Sequence, residues 1–336
     1  MIYWVAPPAE SRSGLAVYSK TLLPFLEAKD GVKWMAPKEA VPAGSGRAVY
    51  NLGNHPDNAA AMEQAWNAPD TVVLHDVNLH HAALAASDPV RFFESGDLPL
   101  TLRSAGVWNE TLAVHAPALV PLLNRQRLIF VHSRYALDML RMRGIHVPVE
   151  VLPMGVVVPE IRSEKELCSI GLFGHIGGNR EMDVVLDVFR RLRGGQPQLT
   201  LKMIGQRVPE CVEREPGIVV KRGLSDGDFF AELSATTVAL NLRYPVLGET
   251  SLTMLQAMAL GTVCLVFELG AYAELPESTV LKVNPGEPWD QRLEALLGDV
   301  PRRREMEKAA RAHVRAYHAP ERWAERFWEG LCGSRN

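Results

Sequence analysis

Residues 169–192 read SIGLFGHIGGNREMDVVLDVFRRL. The uncharged run SIGLF suits a buried strand. Gly174, Gly177 and Gly178 then break it, Arg180 follows, and apolar residues recur at helical spacing from Met182 to Leu192. Strand, glycine-rich turn and helix in that order are the opening of a βαβ unit, because parallel strands need a crossover connection. Glycine lets a phosphate approach the backbone and arginine presents a planar, permanently charged fork, so the turn is a candidate phosphate site. A plain βα turn with a solvated arginine is the alternative.

Outward from this segment the same alternation fills the chain. Toward the C-terminus come LTLKMI (199–204), IVVK (218–221), a helix near Phe229 to Leu233, VALNL (238–242), a helix from Ser251 to Leu260, TVCLVF (262–267) and TVLKV (279–283). Toward the N-terminus come VEVLP (149–153), a helix from Tyr135 to Arg143, RLIFV (127–131), TVVLH (71–75), AVYNL (48–52), VKWMA (32–36), a helix from Leu15 to Leu26 and IYWVA (2–6). Short β-branched runs separated by helical patterns imply an α/β fold of two Rossmann-like, doubly wound domains. Between them EVLPMGVVVPEIRSEKEL (150–167) loses periodicity and gains proline and charge, which places a hinge near 155–166, with Gly155 at its start. The last stretch, APERWAERFWEGL (319–331), carries Trp323, Phe327, Trp328 and Leu331 on one apolar face that needs a docking surface.

With 336 residues, 47% of them apolar, the chain is long enough for two domains of about 150 residues. A formal charge of -3 points away from nucleic acid and from strongly electrostatic membrane attachment. The start, MIYWVAPPAE, lacks the basic flank and apolar run of a signal peptide, and no stretch approaches the roughly 18 apolar residues of a membrane span. A cytoplasmic protein is expected. Cys168, Cys211, Cys264 and Cys332 are far apart without a CxxC, as suits reduced structural thiols.

Three further segments carry candidate chemistry. In ESRSGLAVYSKTLLPFL (10–26), Ser13 and Gly14 stand between the first strand's loop and a helix, where backbone N–H groups can receive an anion; an N-cap with a glycine turn is the plainer reading. In TVVLHDVNLHH (71–81) a strand runs straight into His75 and Asp76, then His80 and His81, and ligands bind at the C-terminal ends of strands in open α/β sheets. A metal site and a hydrogen-bonded histidine at a strand end are the other readings of this segment, although no metal-binding spacing is apparent. In VALNLRYPVLGETSLTMLQAMALG (238–261) the helix start at Thr250 and Ser251 is another anion site, and Glu249 beside it can accept hydrogen bonds from sugar hydroxyls; simple N-capping explains these residues too.

The segments GLAVYSKTLLPFL, TVVLHD, VHSRYA, VLPMGV, FGHIGGNR, KRGLSDGDFF, NLRYPVLGETS with QAMALGT, and ELGAYAELP, taken in order, make the chain resemble glycosyltransferase family 4 over nearly its whole length. The resemblance implies a GT-B fold and a retaining, metal-independent hexosyltransferase that needs no cofactor. Its donor would be a nucleotide-diphosphate sugar and its acceptor a glycan or a lipid-linked molecule. By the same resemblance an N-terminal acceptor-side domain covers 1–158 and is joined by a C-terminal helix, 319–332, and a nucleotide-sugar domain covers 159–318. Arg180 looks like the residue that neutralises the donor diphosphate, with His175 where the family usually has arginine. Gly14 looks like the loop that approaches the diphosphate, and His75 like a contact to the transferred sugar.

By the same resemblance Gly174 would belong to the phosphate turn, Gly223 and Leu224 would stand where backbone meets the base, and Glu249, Thr250, Ser251 and Leu252 would line the donor. Gln256 replaces the family's second acid, one residue early. The candidate catalytic residues are therefore His75, Asp76, Arg180 and Glu249, with no metal ligand. Surface polysaccharide or glycoconjugate synthesis, at the inner face of a membrane, is the implied setting. The region from His81 to Ala118, with Phe92, Phe93 and Trp108, is the candidate acceptor side. The rival readings are a GT-B epimerase or phosphorylase, and a homologue that binds sugar nucleotides without turnover.

Overall fold

The computed structural model describes residues 1–336 other than 12, 28–30, 40, 43, 45, 95–109, 162, 177–178, 207 and 334–336, and it leaves out the side chains of 110–112. Gly177, Gly178 and Trp108 therefore lie outside the described residues. The chain divides into two compact units. One comprises Met1–Gly155, Leu247–Thr250 and His318–Asn336; the other comprises Val156–Val246 and Ser251–Tyr317.

The first unit holds six strands: β1 (Ile2–Val5), β2 (Val32–Met35), β3 (Arg47–Leu52), β4 (Thr71–Leu74), β5 (Leu128–Val131) and β6 (Val149–Val151). They form one sheet in the order β2-β1-β3-β4-β5-β6, and every pairing is parallel. The second unit holds β7 (Ser169–His175), β8 (Thr200–Gln206), β9 (Ile218–Lys221), β10 (Val238–Asn241), β11 (Val263–Phe267) and β12 (Val280–Val283), again all parallel, in the order β12-β11-β10-β7-β8-β9. The strand order reverses between β1 and β3 in one sheet and between β7 and β10 in the other. At such switch points the loops diverge and leave a crevice.

Burial explains the sequence pattern. The interior strands β1, β4, β5, β10 and β11 are buried at every residue, whereas the edge strands β2 and β9 are mostly half-buried. A parallel strand covered by helices on both faces has no solvent side, so it reads as a continuous apolar run. The helices used below are α1 (Gly14–Glu27), α2 (Ala59–Asn67), α3 (Arg134–Met142), α4 (Met182–Gly195), α5 (Asp226–Ala235), α6 (Leu252–Ala259), α7 (Asp290–Gly298), α8 (Val300–Tyr317) and α9 (Pro320–Gly333). Neither α2 nor α7 is marked in the sequence reading. α2 buries Ala61, Met62 and Ala65, of which the two alanines are too small to mark an apolar face, and α7 buries Leu293, Leu296 and Leu297. α5 begins earlier than its apolar residues suggest, because the Ser225 hydroxyl accepts from Asp228 N at 3.1 Å and acidic residues suit a helix start.

The docking surface for the last helix lies in the first unit. Trp323 stacks on Phe327 and meets Trp4 and Tyr18 edge-on, while Phe327 also packs on Phe130. Glycine at 155 is required here, since a Cβ would stand 2.7 Å from a Leu22 methyl and 3.0 Å from Trp323 Cγ. Among the described residues, no helix is long and apolar enough to cross a membrane.

Candidate functional site

In the second unit Gly174, His175 and Arg180 collect where β7 and β10 end. Gly174 lies in the left-handed region at φ 87°, and Gly205, its register partner on β8, has no room for a Cβ beside the Gly174 carbonyl. Two glycines thus let adjacent backbones close up at the strand ends. The turn after β7 is latched to the loop after β10: Tyr244 N donates to Asn179 O at 2.9 Å, and Asn179 Nδ2 donates to Pro245 O at 3.1 Å.

Arg180 is turned inward. Its side chain donates to Phe173 O (Nη2, 3.3 Å), His175 O (Nε, 3.3 Å) and Asn241 Oδ1 (Nη1, 3.2 Å). At 3% exposure this is an arginine in a position arginine rarely takes. A fixed cation therefore braces the ends of β7 and β10 at the switch point. The next residue, Glu181, sits at φ 48° and ψ 42°, a left-handed conformation that costs a side-chain-bearing residue about 1–2 kcal/mol. His175, the last residue of β7, is exposed.

The loop from β10 to α6 organises itself. Glu249 Oε2 accepts from Leu247 N at 2.7 Å, and the Ser251 hydroxyl caps α6 by accepting from Met254 N at 3.3 Å. Thr250 Oγ1 is buried with no hydrogen-bond partner among the described residues. Leu252 opens α6 half-buried, and Gln256 is buried one turn further on. Gly223, exposed at φ 65°, and half-buried Leu224 lie on the loop after β9, two strands away from β7.

In the first unit Gly14 is the first residue of α1, with nothing within 4 Å of an added Cβ. Its φ is not positive, so the backbone here does not itself demand glycine, and open space remains at the helix start. The Ser13 hydroxyl accepts from Ala16 N at 3.2 Å, as an N-cap does. Asp76 Oδ2 accepts from Asn54 N at 2.7 Å and so ties the end of β4 to the loop after β3.

Both ring nitrogens of His75 are engaged inside the unit. Nε2 lies 3.3 Å from Asn51 Oδ1 and Nδ1 lies 3.1 Å from His132 Nε2, while Tyr18 packs edge-on over the ring. His132 Nδ1 in turn meets Leu152 O at 2.9 Å. Burial, then the neighbouring His132, pushes His75 well below the ordinary histidine range; burial takes His132 down to about 4. His80 and His81 are also buried, and burial, then His80 and His55, takes His81 down to about 4. Among the described residues, no group of three or more His, Cys, Asp or Glu could hold a metal ion.

The structure thus brings Gly174, His175 and Arg180 together with Asn241, and it brings Glu249, Thr250 and Ser251 into one loop. Asn51, His132 and Tyr18 were missed by sequence reasoning. The only signal was that Asn51 ends AVYN and His132 follows RLIFV, each polar at the end of an apolar strand.

Residues 183–329 match the family model described as glycosyl transferase-like. No curated protein matches the chain by sequence. Among solved structures, sucrose-phosphate synthase from Thermosynechococcus elongatus is similar over 98% of this chain and 97% of that one, at 14% identity and TM-score 0.70. WaaG, a glycosyltransferase involved in lipopolysaccharide biosynthesis, is similar over 97% and 99%, at 14% identity and TM-score 0.60. The chain has the GT-B fold. A third structure, the pneumococcal O-GlcNAc transferase GtfA in complex with UDP and GlcNAc, is similar over 85% of this chain and 57% of that one, at 12% identity and TM-score 0.57. At these identities the likeness is one of fold, and the family-model match in this GT-B chain lies within its C-terminal half.

Proposed function

We propose that this chain is a retaining glycosyltransferase of family 4, moving a hexose-type sugar from a nucleotide-diphosphate donor to a glycan or lipid-linked acceptor without a divalent metal. The observation that carries the reading is the match of residues 183–329 to the glycosyl transferase-like model, since that span contains the capped start of α6. The fold alone would not suffice, because one fold serves many reactions. Nucleotide-diphosphate sugar as donor class is supported by the neighbour that holds UDP and GlcNAc. A setting in surface polysaccharide or glycoconjugate synthesis is supported by the likeness to WaaG.

In this reading the donor lies at the β7/β10 switch point. As the anomeric bond breaks, negative charge grows on the diphosphate, and fixed cations and backbone dipoles that need no rearrangement stabilise it. Arg180 supplies a cation held in place by three hydrogen bonds, and the Ser251-capped start of α6 supplies N–H groups and the positive end of a helix dipole. Glu249 and the buried Thr250 hydroxyl are the groups offered to the sugar.

The test is thermal stabilisation of the full chain by a panel of nucleotide diphosphates, with chelator present. Ligand that binds only the native state raises apparent stability, by about 2.7 kcal/mol at a hundredfold excess over Kd. One base should stand out, and Arg180→Ala should remove its shift. No shift with any nucleotide would sink the reading.

A further inference from the structure

A run of buried groups at the end of the first sheet carries an inference that does not depend on the proposed reaction. Asn51 Nδ2 donates to Val5 O at 3.2 Å, Asn51 Oδ1 faces His75 Nε2 at 3.3 Å, His75 Nδ1 faces His132 Nε2 at 3.1 Å, and His132 Nδ1 faces Leu152 O at 2.9 Å. Both ends of this run are backbone carbonyls, which only accept. Asn51 therefore turns its NH2 toward Val5 and leaves an acceptor toward His75, and His132 must carry its hydrogen on Nδ1.

The count of hydrogens then decides the state of the pair. Three contacts, from Leu152 through both rings to Asn51, need three ring hydrogens, and two neutral imidazoles carry two. With two, either the His75–His132 contact or the His75–Asn51 contact sets lone pair against lone pair. One added proton closes the run: His75 with hydrogen on both nitrogens donates to Asn51 and to His132, and His132 stays neutral and donates to Leu152. We infer that His132 is a positioning residue that locks the His75 ring through one proton shared by the pair, and that the arrangement seen is that of the singly protonated pair.

Burial pushes both rings below the ordinary histidine range, so the pair takes this proton only toward acid pH, and the hydrogen bonds it completes work in the other direction. A second proton is not taken up, because the ring centroids are only 4.8 Å apart. Among the described residues, Tyr18, His318 and Asp76 are the other titratable groups near the pair. Tyr18 of α1 lies 4.8 Å from the His75 ring and 5.7 Å from the His132 ring, and its own ionisation is pushed up by burial, so it stays neutral. His318, just after α8, faces His132 electrostatically and has Nδ1 on Met154 O at 2.8 Å; it opposes a charge on the pair when protonated. Asp76, next to His75 after β4, accepts from Asn54 N.

The experiment is nitrogen-15 NMR of the histidine rings in the full chain between pH 8 and pH 4. One proton per pair should be taken up in a single step, with both His75 nitrogens protonated and His132 neutral. His132→Gln, whose amide can donate to a bare nitrogen of neutral His75, removes the need for the extra proton and should lower that step by about one to two pH units. His132→Leu removes the acceptor and should lower it likewise, without the ordered ring that the Gln variant restores. Two neutral rings throughout, two independent steps, or a step unmoved in His132→Gln would each overturn the inference. Should both variants fail to fold, the wild-type spectra decide alone.

Discussion

Trp323→Ala tests whether α9 is an integral wall of the first unit. The Trp323 ring is 2% exposed, lies stacked 5.6 Å from Phe327, and meets Trp4 at 6.1 Å and Tyr18 at 5.8 Å edge-on. Truncating a buried aromatic of this kind costs about 3–5 kcal/mol, because the ring's transfer free energy is lost and a cavity remains. Aromatic pairs of this geometry hold a further part of that energy. Against the roughly 5–15 kcal/mol that holds a domain together, the loss would be about a fifth or more. Urea unfolding followed by tryptophan fluorescence and far-ultraviolet circular dichroism should show a clearly lower midpoint with little change in slope. A loss below about 1 kcal/mol would refute the packing described, since it would mean that the ring's surroundings collapse around alanine or that the helix is not seated there.

Three other outcomes follow from particular residues. Glu181→Gly relieves a left-handed non-glycine residue and should raise stability by about 0.5–1 kcal/mol, the relief exceeding glycine's added freedom in the unfolded chain; a lower unfolding midpoint would contradict it. Lys165 donates to Thr236 O at 3.0 Å and Thr262 Oγ1 at 2.8 Å, and burial takes its pKa down to about 8 from the usual 10.5. Between those values the unfolded chain binds the extra proton, so this group makes stability rise with pH from about 8 to 10.5. In Lys165→Met that contribution should vanish, seen as a flatter melting temperature over the interval; an unchanged profile counts against it. Arg180→Lys keeps the charge but not the fork that reaches Phe173 O, His175 O and Asn241, so it should weaken nucleotide-diphosphate stabilisation nearly as much as Arg180→Ala; full retention in the lysine variant would show that charge alone suffices.

The fold class was legible because interior parallel strands leave a loud trace: IYWV, TVVL, LIFV and VCLVF are buried at every position and apolar at every position but Thr71. Helix α2 left none, because its buried residues are mostly alanine, and strand order leaves no mark on any single segment. The site was legible as positions and not as contacts. Sequence placed Arg180 beside a glycine turn, but whether its guanidinium points out to a ligand or in toward Asn241 depends on a strand 61 residues further on. His75 was conspicuous as the polar residue at the end of TVVL. Its partners Asn51 and His132 come from two other strands, 24 and 57 residues away, and only the parallel register of β3, β4 and β5 brings them together.

The most direct test of the account is a transfer assay with the full chain. The nucleotide sugar that stabilises it is mixed with candidate glycan and lipid-linked acceptors in excess chelator, and sugar consumption and the anomeric configuration of the product are followed by proton NMR. The account predicts turnover without metal, a product that keeps the donor's configuration, and loss of turnover in Arg180→Ala. An inverted product, strict dependence on a divalent ion, or binding with neither transfer nor hydrolysis would contradict it.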